Sequence, residues 1–363
     1  MSRIFTCLFA LVISASAVKA DEEPTLPPIG PVLEKTLVGY IRPGYAAFEA
    51  AASDLKSSMT KLCGAPSEPN FQTAHVAFRA VVDRWARMEW LRLGPVMSDN
   101  RLERILFFPD RKGTGRKQVQ RAIASKNESV SEVVALAGQS VAMQGLGALE
   151  YLLFGKGNDA LTTEQQSAHR CAFAEAAAAN LVNLSDEIVA GWQDDARLVG
   201  VFLDPGPDNP LFRTDQEALN FLLGQMIHGL EAIRDIRLNA FLDKESAARD
   251  RPKSALFWRS DMTLRSVVAN LEGLEALFNE SGIEIVSKDR APRLADTIRF
   301  EFSQAIRTAE SLDAPMNELL ADPETREKLV YLDYAIKIII GRLDQEFAQA
   351  GGLAVGFSFG DGD

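Results

Sequence analysis

The carboxylate of Glu150 stands alone in an otherwise apolar turn, Gln144-Gly145-Leu146-Gly147-Ala148-Leu149-Glu150-Tyr151-Leu152-Leu153-Phe154-Gly155. An acid on an apolar helix face needs an ion, a guanidinium or N–H donors to answer it. Gly147 is its i−3 neighbour. Gly145 and Gly147 each cost about 1 kcal/mol relative to alanine inside a helix, so the run asks for a packing or binding reason. His228 and Glu231, at i and i+3, give one helix face an imidazole and a carboxylate, a usable two-ligand metal pair. In a chain with this many acids the same spacing also arises by chance. Glu89 and Arg92 repeat the spacing and can pair on a helix ending at Gly94-Pro95. Arg259 and Ser260 open a later helix, and Asp361 and Asp363 sit in a glycine-rich terminus whose Phe357 and Phe359 can tuck under the fold. Carboxylates from Glu150, Glu89 and the tail suit iron or another divalent or trivalent cation such as calcium. Alternatively, Arg92 and Arg259 neutralise these acids and build a rigid polar core.

Other chemistries find little support. There is no HExxH, no GxSxG and no dinucleotide fingerprint, and Gly113-Thr114-Gly115 lacks the spacing and the preceding strand of a phosphate loop. His75 and His169 read as helix-surface or interhelix hydrogen-bonding residues. The chain has 363 residues and a formal net charge of −11, which argues against nucleic acid and anionic membrane surfaces as partners. Residues 1–20 read as a secretory signal: a basic start, the apolar run Ile4 to Val18, and Val18-x-Ala20 before Asp21. No apolar run is long enough for a membrane span. Cys7 lies inside the signal without a lipobox, so the expected product is a free protein of the periplasm or cell envelope. Processing leaves Cys63 and Cys171, an even pair that suggests a disulfide in an oxidising compartment.

The elements that must position these residues are helices. Residues 21–31 are proline-rich and acidic and read as a flexible leader. Helical patterns then run from Val32 to Lys61 with a break or kink at Pro43-Gly44, and from Phe71 to Leu93. After a loop over Arg101–Arg116 they continue over Lys117–Ala124, Val130–Phe154 and Thr163–Trp192, with a capping box at Thr162-Thr163-x-x-Gln166. Residues 204–210, Asp-Pro-Gly-Pro-Asp-Asn-Pro, read as a linker. Beyond it helices are expected near Asp215–Lys244, Arg259–Ser281, Pro292–Leu312 and Pro323–Ala350. No alternating run supports a strand, so the expected class is all-α. A faint repeat relates Ala148-Leu149-Glu150 to Gly273-Leu274-Glu275 and Gly229-Leu230-Glu231. With the linker it suggests two duplicated helical bundles, residues 32–203 and 211–363, facing each other across a cleft.

The run Gly145 to Gly155 also resembles the imelysin (M75 peptidase-like) signature, Gly-x-His-x-x-Glu followed by an aromatic, two leucines, an aromatic and glycine. Gly147 stands where that signature has histidine. Trp85-x3-Glu89-x2-Arg92-x-Gly94-Pro95, Phe257-Trp258-Arg259-Ser260 and the terminus Gly356 to Asp363 are similar to imelysin-like proteins as well, so the likeness covers most of the mature chain. The resemblance implies two helical bundles and a binding or accessory role in iron or haem acquisition. Its ligand, a small molecule or metal ion, would sit in the interdomain cleft near Glu150, with Gly145, Gly147, Glu89, Arg92, Arg259 and Asp361 around it and an envelope protein as partner. The other activity it implies is an M75-type metallopeptidase with Glu150 as base or ligand. Gly147 removes one of the two motif ligands, which favours binding over catalysis. A purely structural or interaction protein is the third reading.

Overall fold

The computed structural model describes residues 27–163 and 168–354, and these fold into helices with no strand. The signal segment 1–20, most of the leader, Gln166 of the capping box, and Phe357, Phe359, Asp361 and Asp363 of the tail lie outside the described residues. α1 (Gly30–Lys35) continues through a π-helical segment, Thr36–Ile41, into α2 (Arg42–Gly64). No break appears at Pro43. It sits in the first turn of α2 directly after the wider π turn, where its missing N–H is tolerated.

α3 (Glu68–Ala86) packs along α2. It ends short of the expected Leu93 because the Arg87 carbonyl is diverted: Tyr40 Oη and Trp90 Nε1 both donate to it, the latter at 2.8 Å. The stretch read as a loop contains the short α4 (Arg101–Ile105) and the start of α5 (Thr114–Ser125). Asp110 begins α5 by accepting the Thr114 and Gly115 N–H groups at 2.6 and 2.9 Å. The single helix expected over Val130–Phe154 is interrupted into α6 (Val133–Ala137), a 3₁₀ turn at Val141–Met143, and α7 (Gly145–Phe154). Gly145 explains the break. Its φ is +51°, and a Cβ there would lie 2.2 Å and 2.3 Å from the Ile105 and Arg104 carbonyl oxygens. It therefore starts α7.

α8 (Ala168–Ala190) lies against α2, and Cys63–Cys171 ties the end of α2 to the start of α8 with a Cα–Cα distance of 5.6 Å. Closing so long a loop contributes about 4–5 kcal/mol in the chain-entropy picture. Beside the disulfide, buried Arg170 donates to the carbonyls of Tyr151, Leu152, Gly155 and Lys156, capping the C-terminal end of α7. After α9 (Arg197–Leu203) comes the expected linker, which is a tied loop. Asn209 Nδ2 donates to Val201 and Asp204 carbonyls, and its Oδ1 accepts the Leu211 and Phe212 N–H groups.

α10 (Asp215–Glu231) passes into a second π segment, Ala232–Leu238. α11 (Thr263–Ser281), α12 (Leu294–Glu310), α13 (Met316–Ala321), α14 (Pro323–Gly341), a third π segment (Arg342–Phe347) and α15 (Ala348–Gly351) complete the described chain. No helix among the described residues is long and apolar enough to cross a membrane. Buried apolar side chains from both sides of residues 204–210 join in one continuous core.

The halves meet where α3 and α11 run side by side in the same direction. Arg79 Nε donates to the Ser260 carbonyl, Arg265 bonds Asp83, Asn270 donates to the Ala86 carbonyl and Arg87 pairs with Glu272. Arg265 and Arg87 each bridge Asp83 and Glu272, a small charge network along the seam. Close approach depends on Gly273, whose Cβ would lie 2.3 Å from the Arg87 carbonyl oxygen and 2.8 Å from its Cα. Gly273→Ala should therefore lower unfolding stability by about 1–3 kcal/mol in urea titrations. Gly341→Ala, where a Cβ meets nothing within 4 Å, should not.

Candidate functional site at the helix seam

The residues singled out from the sequence fall into two clusters at opposite ends of the α3–α11 contact. Ser260 faces Arg79 at one end and Asn270 faces Glu89 at the other. Trp85 lies six positions after Arg79 on α3, a rise of about 9 Å at 1.5 Å per residue.

The first cluster is built on Glu150. α7 carries it into the interior, where the residue is 5% exposed. Its Oε1 accepts three hydrogen bonds, from Arg259 N at 3.0 Å, Ser260 N at 3.2 Å and Ser260 Oγ at 3.0 Å. Arg259 Nη1 lies 3.7 Å from Oε2. Successive N–H groups converging on one anion form a backbone nest, and the anion here is the protein's own carboxylate. The turn it holds is strained: Phe257 and Asp261, on either side, have φ of +59° and +57°. Arg259 and Ser260 therefore belong to a clamped turn before α11, which begins only at Thr263. Burial pushes the Glu150 carboxyl above the usual carboxylate range, against the pull of Arg259 and the Ser260 hydrogen bonds. Arg259 stacks over Trp258 at 4.4 Å, and both residues line a surface cavity of about 460 Å³ with Arg116, Tyr151, Lys156 and Asp261. Gly147 is exposed on α7, and a Cβ there would meet nothing within 4 Å.

His75 belongs to the same end of the molecule as an interhelix hydrogen bonder. Its Nε2–H donates to the Leu153 carbonyl at 2.9 Å, and its ring lies between Phe71 and Phe154. His169 pairs with the Asn127 carbonyl at 3.0 Å.

The second cluster walls a cavity of about 380 Å³ at the other end of the seam, within the range of small-molecule sites. Glu89 and Arg92 reach it from the irregular chain after α3, not from a helix running to Gly94. His228 and Glu231 reach it from α10, with His228 Nδ1 3.1 Å from Glu231 Oε2. Two partners of Glu89 fall outside the residues that the sequence singles out. Arg237 pairs with both oxygens of Glu89, and Asn270 Nδ2 donates to Glu89 Oε1 at 2.7 Å. Arg237 also lies over Phe108 at 5.0 Å. The π segment Ala232–Leu238 supplies much of this wall, and π turns recur at functional sites. Asn270 had one legible signal, a polar residue in the otherwise apolar face of Val267, Leu271 and Leu274. Arg237 had none, since 148 positions separate it from Glu89.

The two glycines of α7 should behave oppositely. Gly147→Ala should raise stability by up to about 1 kcal/mol, whereas Gly145→Ala should lower it by about 2 kcal/mol or more through strain and overpacking. Equilibrium denaturation distinguishes them. Glu150→Ala should cost about 2–3 kcal/mol by leaving buried donors unanswered. A pH series tests the Glu150 charge. Its folded pKa lies above the unfolded value of about 4.3, so the folded state holds the extra proton between the two and wild-type stability falls as pH rises through that window. Glu150→Gln should remove that component of the slope.

Comparison with known proteins follows the same architecture. The imelysin (peptidase M75) family profile matches residues 41–339. Iron-regulated protein A of Synechococcus elongatus is 21% identical over 331 residues, covering 87% of this chain and 86% of the relative. An imelysin-like protein from Psychrobacter arcticum superposes with a TM-score of 0.73 at 19% identity, covering 92% of this chain and 100% of that one. A putative iron-regulated protein A precursor from Parabacteroides distasonis gives 0.71 at 14% identity, with 90% and 96% covered. At these identities the structural likeness is one of fold. The family match spans α3, α7, α10 and α11, which carry both clusters, and the chain belongs to the imelysin (peptidase M75) family.

Proposed function

We propose that this protein is a binding or accessory component of iron or haem acquisition in the cell envelope, secreted through residues 1–20. Its ligand site is the cavity between the two halves, which we read as duplicated bundles. The observation that carries this reading is convergence. Glu89 with Arg92 and His228 with Glu231, two pairs far apart in sequence, line one cavity together. The iron-regulated names of two relatives point the same way.

Free iron is a poorer fit than iron in an organic complex. Glu89 is committed to Arg237 and Asn270, and His228 to Glu231. No three His, Cys, Asp or Glu side chains gather as a metal cage among the described residues. A bare ion would have to break these pairs before it gained ligands. The peptidase reading is weaker still. Gly147 offers no imidazole, and Oε1 of Glu150 already accepts three hydrogen bonds.

Melting temperature measured with haemin, ferric citrate, zinc chloride and calcium chloride tests the proposal. Haemin or ferric citrate should raise it; a ligand at 100 times its Kd adds about 2.7 kcal/mol. A flat response to both iron compounds overturns the iron reading. Chelator-sensitive peptide cleavage that disappears in Glu150→Ala would put the peptidase in its place.

A further inference from the structure

The surface cavity beside the Glu150 cluster, about 460 Å³ in volume, carries a charge opposite to that of the chain. Arg116, Lys156 and Arg259 line it, and Asp261 is the one acid in its wall among the described residues, in a protein whose formal net charge is −11. Arg116 and Lys156 are exposed, and neither forms an ion pair with a described residue. The positive field stops at Trp258 and Asp261, because the next cavity along has Glu310 and Asp313 against Arg265 alone.

Contacts tie these groups into one site. Arg116 and Gln120, at i and i+4, share a face of α5. Gln120 Nε2 lies 2.9 Å from Tyr151 Oη, and the Tyr151 ring sits under the Arg259 guanidinium at 5.6 Å. Whichever way round the Gln120 amide lies, its bond to Tyr151 leaves one donor over. Arg259 also stacks on Trp258 at 4.4 Å, and Lys253 lies over the same indole at 5.8 Å. Two aromatic faces, with Glu150 behind, fix the direction of Arg259 before anything binds. The guanidinium keeps N–H donors to spare, since its Nη1 is 3.7 Å from Glu150 Oε2, longer than a full hydrogen bond. Burial holds Arg259 below its ordinary range, Glu150 opposes that, and the charge of Arg116 adds to it. An anion between the two arginines relieves their repulsion.

The size and lining narrow the ligand. The volume far exceeds one inorganic oxyanion, and Tyr151, Phe154 and Trp258 give the remainder an apolar wall. More than one cation asks for more than one anionic group. We infer that this cavity binds a small organic polyanion, a carbon body bearing two or more carboxylate or phosphate groups, held by Arg116, Lys156 and Arg259. The site is separate from the seam cavity, and the inference stands apart from the iron reading.

Calorimetric titration of the full chain with iron-free citrate and with glycerol 3-phosphate, at one fixed ionic strength, tests it. Saturable one-to-one binding of at least one of them is expected, and the tighter of the two identifies the preferred anionic group. Arg116→Gln and Lys156→Gln should each weaken binding about five- to tenfold, while Lys117→Gln, a neighbouring exposed lysine on α5, should change it less than about twofold. Quenching of tryptophan emission gives a local readout, which Trp258→Phe should remove while calorimetric binding persists. Circular dichroism melts check that every variant folds. The inference is overturned if neither probe binds saturably, if the double variant Arg116→Gln/Lys156→Gln binds as tightly as wild type, or if quenching survives Trp258→Phe. Both probes lack iron, so none of these failures touches the seam cavity, and a flat response to haemin and ferric citrate there leaves binding of free polyanions here intact.

Discussion

The approach of α3 to α11 governs the rest of this structure, because both polar clusters are defined by what each helix presents along that contact. Gly273 lets the backbones close against the Arg87 carbonyl. That carbonyl also receives Tyr40 and Trp90, so it both ends α3 and fixes the chain carrying Glu89 and Arg92. The charge network of Asp83, Arg87, Arg265 and Glu272 contributes modestly because its members are partly solvated, but it sets the register between the helices.

At one end of the contact the protein supplies its own ligand. Glu150 occupies the nest of Arg259 and Ser260 and holds a turn with left-handed residues on both flanks. The physical balance is close: burial penalises the charge, while donors and a guanidinium restore it. The outcome is a carboxylate that orients Arg259 toward a surface cavity instead of facing that cavity itself. Gly147, exposed one turn before Glu150 on α7, borders open space and contributes no side chain to this end.

At the other end the polar groups are only partly satisfied by one another. Glu89 is saturated by Arg237 and Asn270, yet those partners each keep a second polar atom unanswered, as does Trp85. A self-satisfied cluster rigidifies a core, and Glu89 with Arg237 and Asn270 pins the irregular chain after α3 to the second half.

The sequence by itself pointed to the all-α class, to a Cys63–Cys171 disulfide and to Glu150 needing an ion, a guanidinium or N–H donors; the structure supplies the Arg259 and Ser260 N–H groups and Ser260 Oγ, with the Arg259 guanidinium beside them. These follow from local periodicity, from an even cysteine count and from the cost of burying a charge, all readable along the chain. Helix ends were less legible. Gly145 as a helix start and the truncation of α3 at Ala86 depend on carbonyls and side chains contributed from distant segments. Spacing placed His228 with Glu231 on one helix face, but only the tertiary structure brought Glu89 to the same cavity and gave it Arg237 and Asn270. Side-chain pairing across more than a hundred residues is decided by how helices cross, and crossing depends on shape at positions such as Gly273 that carry no chemical signal of their own.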